Sequence, residues 1–176
     1  MEIALASILV LFALVLFFLA ARRRKASGLP GGKVIYADTR RWDRLEEPLY
    51  DPILGLTGKP DYLVEDKDQI IPVEVKTSRA PRGPYDAHIF QLAAYCLLVQ
   101  RVFGKRPAYG ILHYSHPPEN GRSFMIDYTP ALETALLDTL EEMRIQDRKK
   151  EVERSHNSPA RCSACGFRTT CDQRLR

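Results

Sequence analysis

A mixed α/β domain behind one N-terminal membrane-spanning helix is what this chain of 176 residues predicts. Three observations carry that expectation. The N-terminus holds an uncharged apolar run, the middle holds two strand-like runs joined by a charged turn, and a helical run follows that is itself succeeded by two strands and a second helix.

The apolar run comes first. Ile3 to Ala21 has no charge, no Pro and no Gly. As a helix it reaches roughly 28 Å, near the thickness of a bilayer's hydrocarbon core. A cleaved signal peptide would put positive charge ahead of the run, but only Met1 and Glu2 stand there. A buried core helix would show a polar face, and none is visible. Arg22, Arg23, Arg24 and Lys25 follow directly, and such a cluster stays on the cytoplasmic side. The expectation is a single-pass anchor in the cell membrane (3–21), a basic juxtamembrane linker (22–32), a cytoplasmic core (33–155) and a cysteine-bearing tail (156–176).

Composition narrows the class of the remainder. About 150 residues bury a core without disulfides, and a reducing compartment makes cysteines metal ligands or core residues first. The net charge of +4 is uneven: residues 26–143 are slightly acidic, whereas 144–176 carry nine basic against four acidic groups. The juxtamembrane cluster suits lipid head groups, and the basic tail, with Arg161 and Arg168, suits nucleic acid.

Along the core, Lys33–Asp38 reads as a short strand and 39–53 as loop or broken helix. Leu56–Val64 reads as a strand interrupted at Gly-Lys-Pro, Glu65–Gln69 as a hairpin turn, and Ile70–Thr77 as a second strand. Asp86–Phe103 repeats apolar residues at helical spacing and meets a stop at Gly104. Ala108–Tyr114 and Ser123–Tyr128 read as strands, and Pro130 to about Arg154 as a helix begun by Thr129.

Asp61 lies in GKPD, and Glu74 and Lys76 lie in PVEVK, with twelve residues between Asp61 and Glu74. Residues i and i+2 of a strand share a face, so Glu74 and Lys76 point the same way. A hairpin about the charged turn brings Asp61 alongside Glu74. Two such carboxylates suit Mg²⁺ or Mn²⁺, which polarises a phosphodiester and offsets charge developing in its transition state. Lys76 stands beside them. Gln91 and Tyr95, four apart, share one face of the following helix.

This pattern resembles the PD-(D/E)xK nuclease superfamily: Gly58, Pro60 and Asp61, then Glu74, Val75 and Lys76. Gln91 and Tyr95 resemble the Q-x-x-x-Y motif of RecB-like members. With the cysteines of the tail, residues 55–171 resemble the CRISPR-associated RecB-like exonucleases. The resemblance implies a restriction-endonuclease-like mixed sheet flanked by helices, and divalent-metal-dependent cleavage of single-stranded DNA ends. It also implies Asp61, Glu74 and the Val75 backbone carbonyl as metal ligands, Asp61, Glu74, Lys76, Gln91 and Tyr95 as the catalytic set, and a [4Fe–4S] cluster. The family supplies a further ligand, often His, from a helix before the G-x-x-D strand. Here the first His is His88, after the E-x-K, and upstream stand only acids such as Glu46 and Glu47. A second function class therefore stays open, a nuclease-fold nucleic-acid-binding or scaffold protein with little or no turnover.

Cys162, Cys165 and Cys171 give C-x₂-C-x₅-C, a spacing that suits a sulfur-ligated iron or zinc site. The fourth ligand is open. Cys96 falls in an apolar helix and reads as core, and His156 would complete a Cys₃His zinc set. Tyr85, His88, His113 and His116 read as core or surface. Trp42 suits either a stacked base or the membrane interface.

Overall fold

The computed structural model describes residues 9–19, 33–37, 48–116 and 121–175, and side chains for all of these but 33–37. Residues 9–19 form an α-helix, α1, whose apolar side chains are all exposed. Among the described residues no helix is long and apolar enough to cross a membrane. Both ends of the expected span 3–21, the linker 22–32, Trp42, Glu46 and Glu47 lie outside the described residues.

Beyond α1 the strands are β1 (Lys33–Ala37), β2 (Leu49–Asp51), β3 (Leu56–Gly58), β4 (Tyr62–Asp66), β5 (Gln69–Arg79), β6 (Tyr109–His116) and β7 (Arg122–Asp127). The helices are α2 (Asp86–Phe103), α3 (Pro130–Asp147) and α4 (Pro159–Ser163). Five strands form one mixed sheet in the order β1-β4-β5-β6-β7, and β2 pairs with β3 in a small sheet of its own. Among the described strands only the β5–β6 pair is parallel, and α2 supplies the crossover between them. This is the expected α/β class, a mixed sheet with flanking helices.

The expected strand 56–64 is two strands in two sheets. Pro60 is buried and carries no N–H for a ladder, so the chain breaks there and re-enters the main sheet at Tyr62. Pro72 in β5 is tolerated because pairing to β6 begins one residue later, at Val73 opposite Ile111. β2 falls where a loop or broken helix was expected. Asp51 closes it, accepting the Ile53 and Leu54 N–H groups at 2.8 and 3.1 Å through one carboxylate oxygen.

The two faces of the sheet divide the core. Leu63, Ile70, Leu112 and Tyr114 pack with Leu92, Tyr95, Leu98 and Val99 of α2, while Val64, Ile71, Val73 and Ile111 cluster on the other side. Helix α2 has the expected limits and ends on Gly104 at φ 66, the left-handed conformation that lets a helix stop at glycine. Thr129 caps α3 by accepting the Leu132 N–H through its hydroxyl at 3.1 Å. α3 ends at Asp147 instead of near Arg154. The residues that follow, Arg148, Lys149 and Lys150, offer like charges and no apolar side chain to hold another turn.

The chain divides into two compact units, Met1–Leu136 and Leu137–Arg176. The first contains the sheet and α2. The second contains the cysteine tail, organised around Arg154. Its side chain donates to the carbonyls of His156 and Gln173 and, at 3.0 Å, to Asn157 Oδ1, while its backbone N–H reaches Gln173 Oε1 at 2.7 Å.

Candidate active site

Alternation along β5 sets which side chains meet α2. Ile70 belongs to the α2-facing core, so Glu74 and Lys76, each an even step further, face the helix as well. The β4–β5 ladder ends with Tyr62 opposite Val73. Asp61, one residue before β4, extends it with a side chain: Asp61 Oδ2 accepts the Val75 N–H at 2.7 Å. The hairpin therefore holds Asp61 and Glu74 as neighbours, as the spacing of the motif required.

One hydrogen-bonded network joins the rest. Lys76 Nζ donates to Glu74 Oε1 at 2.8 Å and to Gln91 Oε1 at 2.7 Å. Gln91 Nε2 donates to the same Glu74 oxygen at 3.0 Å and to the Tyr95 hydroxyl at 2.8 Å. Gln91 thus uses its amide in both senses, accepting from the cation and donating to the anion, which a hydrocarbon or a carboxylate at this position could not do. The helical spacing of Gln91 and Tyr95 is what lets one turn of α2 span the network.

Burial pushes the Glu74 carboxyl above its ordinary value, the hydrogen bond from Lys76 pulls against it, and the Asp61 charge pushes it up again. A cation between the carboxylates would relieve that last effect. The bonds described fall on Oε1 of Glu74 and Oδ2 of Asp61, so Oε2 and Oδ1 take no part in them. The oxygen donors present fit a hard divalent ion. Among the described residues no group of three or more His, Cys, Asp or Glu side chains that could hold a metal ion is assembled. Tyr95 is buried and its phenol is pushed up to about 12, mainly by that burial, which keeps the hydroxyl protonated.

Gly58 determines where Tyr95 can sit. A Cβ there would lie 2.8 Å from Tyr95 Cε1 and 2.9 Å from Leu98 Cδ1, so the small sheet can approach α2 only without a side chain.

His88 has its Nδ1 2.7 Å from the Tyr114 hydroxyl, and burial followed by the Lys76 charge holds its pKa below the ordinary value. It lies in the electrostatic range of the network. No motif includes Tyr114, its partner on β6. The signal that finds it is the parallel register that sets Tyr114 opposite Lys76. His113, opposite Val75, is buried with Nδ1 2.9 Å from Ser123 Oγ, a core residue as expected.

In the second unit Cys162, Cys165 and Cys171 line one cavity of about 790 Å³ together with His156. Cys165 N–H donates to the Cys162 carbonyl at 3.3 Å, and the buried Cys162 Sγ accepts the Leu175 N–H at 3.4 Å. The Cys162–Cys165 turn and Cys171 beyond it supply three thiols, the donor chemistry of a sulfur-ligated metal, although they are not drawn into one ligand set here. His156 Nδ1 accepts the Ser158 N–H at 3.2 Å, which leaves the proton of a neutral ring on Nε2, the wrong tautomer for an Nε2 ligand. Cys96 is buried in α2, and burial pushes its thiol up to about 12, as suits a core residue. Arg161 and Arg168 are both exposed, and Arg168 lines the cysteine cavity.

A mixed sheet with two carboxylates and a lysine at the end of its central hairpin defines a PD-(D/E)xK protein. The chain belongs to the PD-(D/E)XK nuclease superfamily, whose family pattern matches residues 13–172. Among its relatives, a CRISPR-associated exonuclease Cas4 of Thermoproteus tenax is 29% identical over 122 residues, covering 69% of this chain and 56% of that protein. A CRISPR-associated exonuclease Cas4/endonuclease Cas1 fusion of Rhodospirillum rubrum is 28% identical over 120 residues, covering 67% of this chain and 20% of the fusion. The chain therefore matches about half, or less, of the length of these curated relatives. A solved structure described as the crystal structure of SSO0001 aligns with a TM-score of 0.48 at 26% identity, over 68% of this chain and 52% of that one.

Proposed function

We propose that this chain is a divalent-cation-dependent DNA nuclease acting on single-stranded ends, held at the cytoplasmic face of the cell membrane by residues 3–21. The observation that carries the nuclease reading is the network through which Lys76 is bound at once to Glu74 and Gln91, next to Asp61. Asp61, Glu74 and the Val75 carbonyl would hold Mg²⁺ or Mn²⁺, which when bound supplies charge neutralisation for the phosphodiester. Lys76 keeps a fixed positive charge beside the carboxylates, where negative charge grows on the phosphate during cleavage. Gln91 holds that ammonium in one position, and the protonated Tyr95 holds Gln91 in turn.

The tail would bind a [4Fe–4S] cluster, or zinc in its place, through Cys162, Cys165 and Cys171, and Arg161 and Arg168 would contact nucleic acid. Support comes from the three thiols around one cavity and from the family resemblance. The membrane reading rests on the uncharged run, the four basic residues after it and the exposed apolar side chains of α1.

The test is release of label from end-labelled single-stranded DNA by the full chain in detergent, with Mn²⁺, Mg²⁺ or EDTA. Cleavage that needs the cation and disappears in Glu74→Ala is expected. Cleavage of equal rate in EDTA, or in Glu74→Ala, rules the mechanism out.

A further inference from the structure

A chain of rings runs out from Lys76 to the surface. Tyr114 and Phe124 stand edge to face with centroids 5.7 Å apart, His88 lies 5.8 Å from Tyr114, and Tyr85 meets His88 edge-on at 5.4 Å. At the far end the Arg122 guanidinium sits 4.6 Å over the Phe124 ring. The inner members serve the core, since Tyr114 is fully buried and bonded to His88. Tyr85 is different. Its side chain is 57% exposed and makes no capping hydrogen bond, although it occupies the N-cap of α2.

Its position is nevertheless firm. The Tyr85 carbonyl accepts the N–H groups of His88 and Ile89 at 2.9 and 3.1 Å, so the start of α2 fixes its backbone. An exposed, preorganised ring loses little conformational freedom when something stacks on it. The segment leading to it is basic, and Asp86 follows it as the first residue of α2. From Lys76 to Tyr85 the chain carries Arg79 and Arg82 and no acid, and both arginines are exposed. An exposed ring that ends a short basic segment is a combination that takes a single strand: the ring receives a base and the cations receive the phosphates.

We propose that Tyr85 is a stacking platform for an unpaired nucleobase of the strand whose phosphate reaches Lys76, with Arg79 and Arg82 holding neighbouring phosphates. This deepens the nuclease reading and rests on it for the class of substrate. It also supplies a reason for preferring single strands, because a base inside a duplex already has both faces covered.

The test is equilibrium binding without cleavage, by fluorescence anisotropy of the full chain in EDTA. The probes are fluorescein-labelled oligothymidylate, its oligouridylate counterpart, and an abasic oligonucleotide of equal length. Tyr85→Ala should weaken oligothymidylate binding roughly tenfold, as the loss of one base–aromatic stack does. Tyr85→Trp should restore it, and both variants should bind the abasic probe as the wild type does. A parallel loss on oligouridylate extends the platform to either sugar, and a loss on oligothymidylate alone restricts it to DNA. Equal affinity of wild type and Tyr85→Ala for oligothymidylate overturns the proposal, as does an equal loss on the abasic probe or no binding by the wild type. A chain that binds through Tyr85 but never cleaves would overturn the nuclease reading and leave the platform standing.

Discussion

Lys76 and Gln91 meet side chain to side chain, Nζ to Oε1 at 2.7 Å, across fifteen residues of sequence. The contact ties the end of β5 to the second turn of α2. It also makes the glutamine of the Q-x-x-x-Y motif a holder of the lysine, while its Nε2 donates to Glu74 of the acidic pair at 3.0 Å.

Gln91→Leu should therefore loosen Lys76 and Glu74 together and slow cleavage. Loss of hydrogen bonds to a charged group corresponds to about a 10- to 100-fold fall in cleavage rate. Single-turnover kinetics with saturating cation would measure it, and an unchanged rate would show that Lys76 needs no such holder.

Asp61 has two separable roles, and two substitutions should part them. Asp61→Ala strands the Val75 N–H and should cost about 1–3 kcal/mol of stability besides abolishing cleavage. Asp61→Asn keeps an acceptor for that N–H, so it should lose Mn²⁺ binding and cleavage while melting near the wild type. Equal melting temperatures for Ala and Asn would remove the structural role.

Gly58→Ala places a methyl group inside contact distance of Tyr95 and Leu98. Overpacking of this kind costs about 1–3 kcal/mol. Urea denaturation should show the loss, with reduced cleavage because Tyr95 moves away from Gln91. A wild-type midpoint would mean that β3 yields without strain.

His88 predicts a pH dependence of stability. Its folded pKa is lowered by burial and then by the Lys76 charge, so the unfolded chain takes up the proton first. The stability it contributes is complete above the unfolded value of 6.5 and is lost as pH falls from there through the folded value. Chemical denaturation between about pH 7.5 and pH 5 should show wild-type stability falling toward acid more steeply than His88→Gln, since other groups titrate in both. Parallel profiles for the two would discount the histidine.

Cys162→Ser should abolish iron or zinc content in anaerobically purified protein, whereas Cys96→Ser should leave it unchanged and cost stability through the core of α2. Metal analysis and thermal melts distinguish the two. Metal-free wild type would dismiss the cluster.

Much of this site was legible in the residues, because its motifs are local. The i, i+2 alternation of Glu74 and Lys76 and the i, i+4 spacing of Gln91 and Tyr95 follow from the strand and helix repeats. The capping Thr129 and the stop at Gly104 were equally local signals. Folding in three dimensions decided which of these faces meet. The parallel β5–β6 crossover lays α2 over the face of β5 that carries Glu74 and Lys76. The β4–β5 register brings the Asp61 carboxylate to the Val75 N–H. The break at Pro60 sends one expected strand into two sheets and seats Gly58 against Tyr95. The ring chain from Tyr114 to Tyr85 has no sequence pattern, because its members come from β6, β7 and the start of α2 and are neighbours only once those strands pair. Short-range periodicity writes itself into a sequence; contacts that depend on sheet order and long-range packing do not.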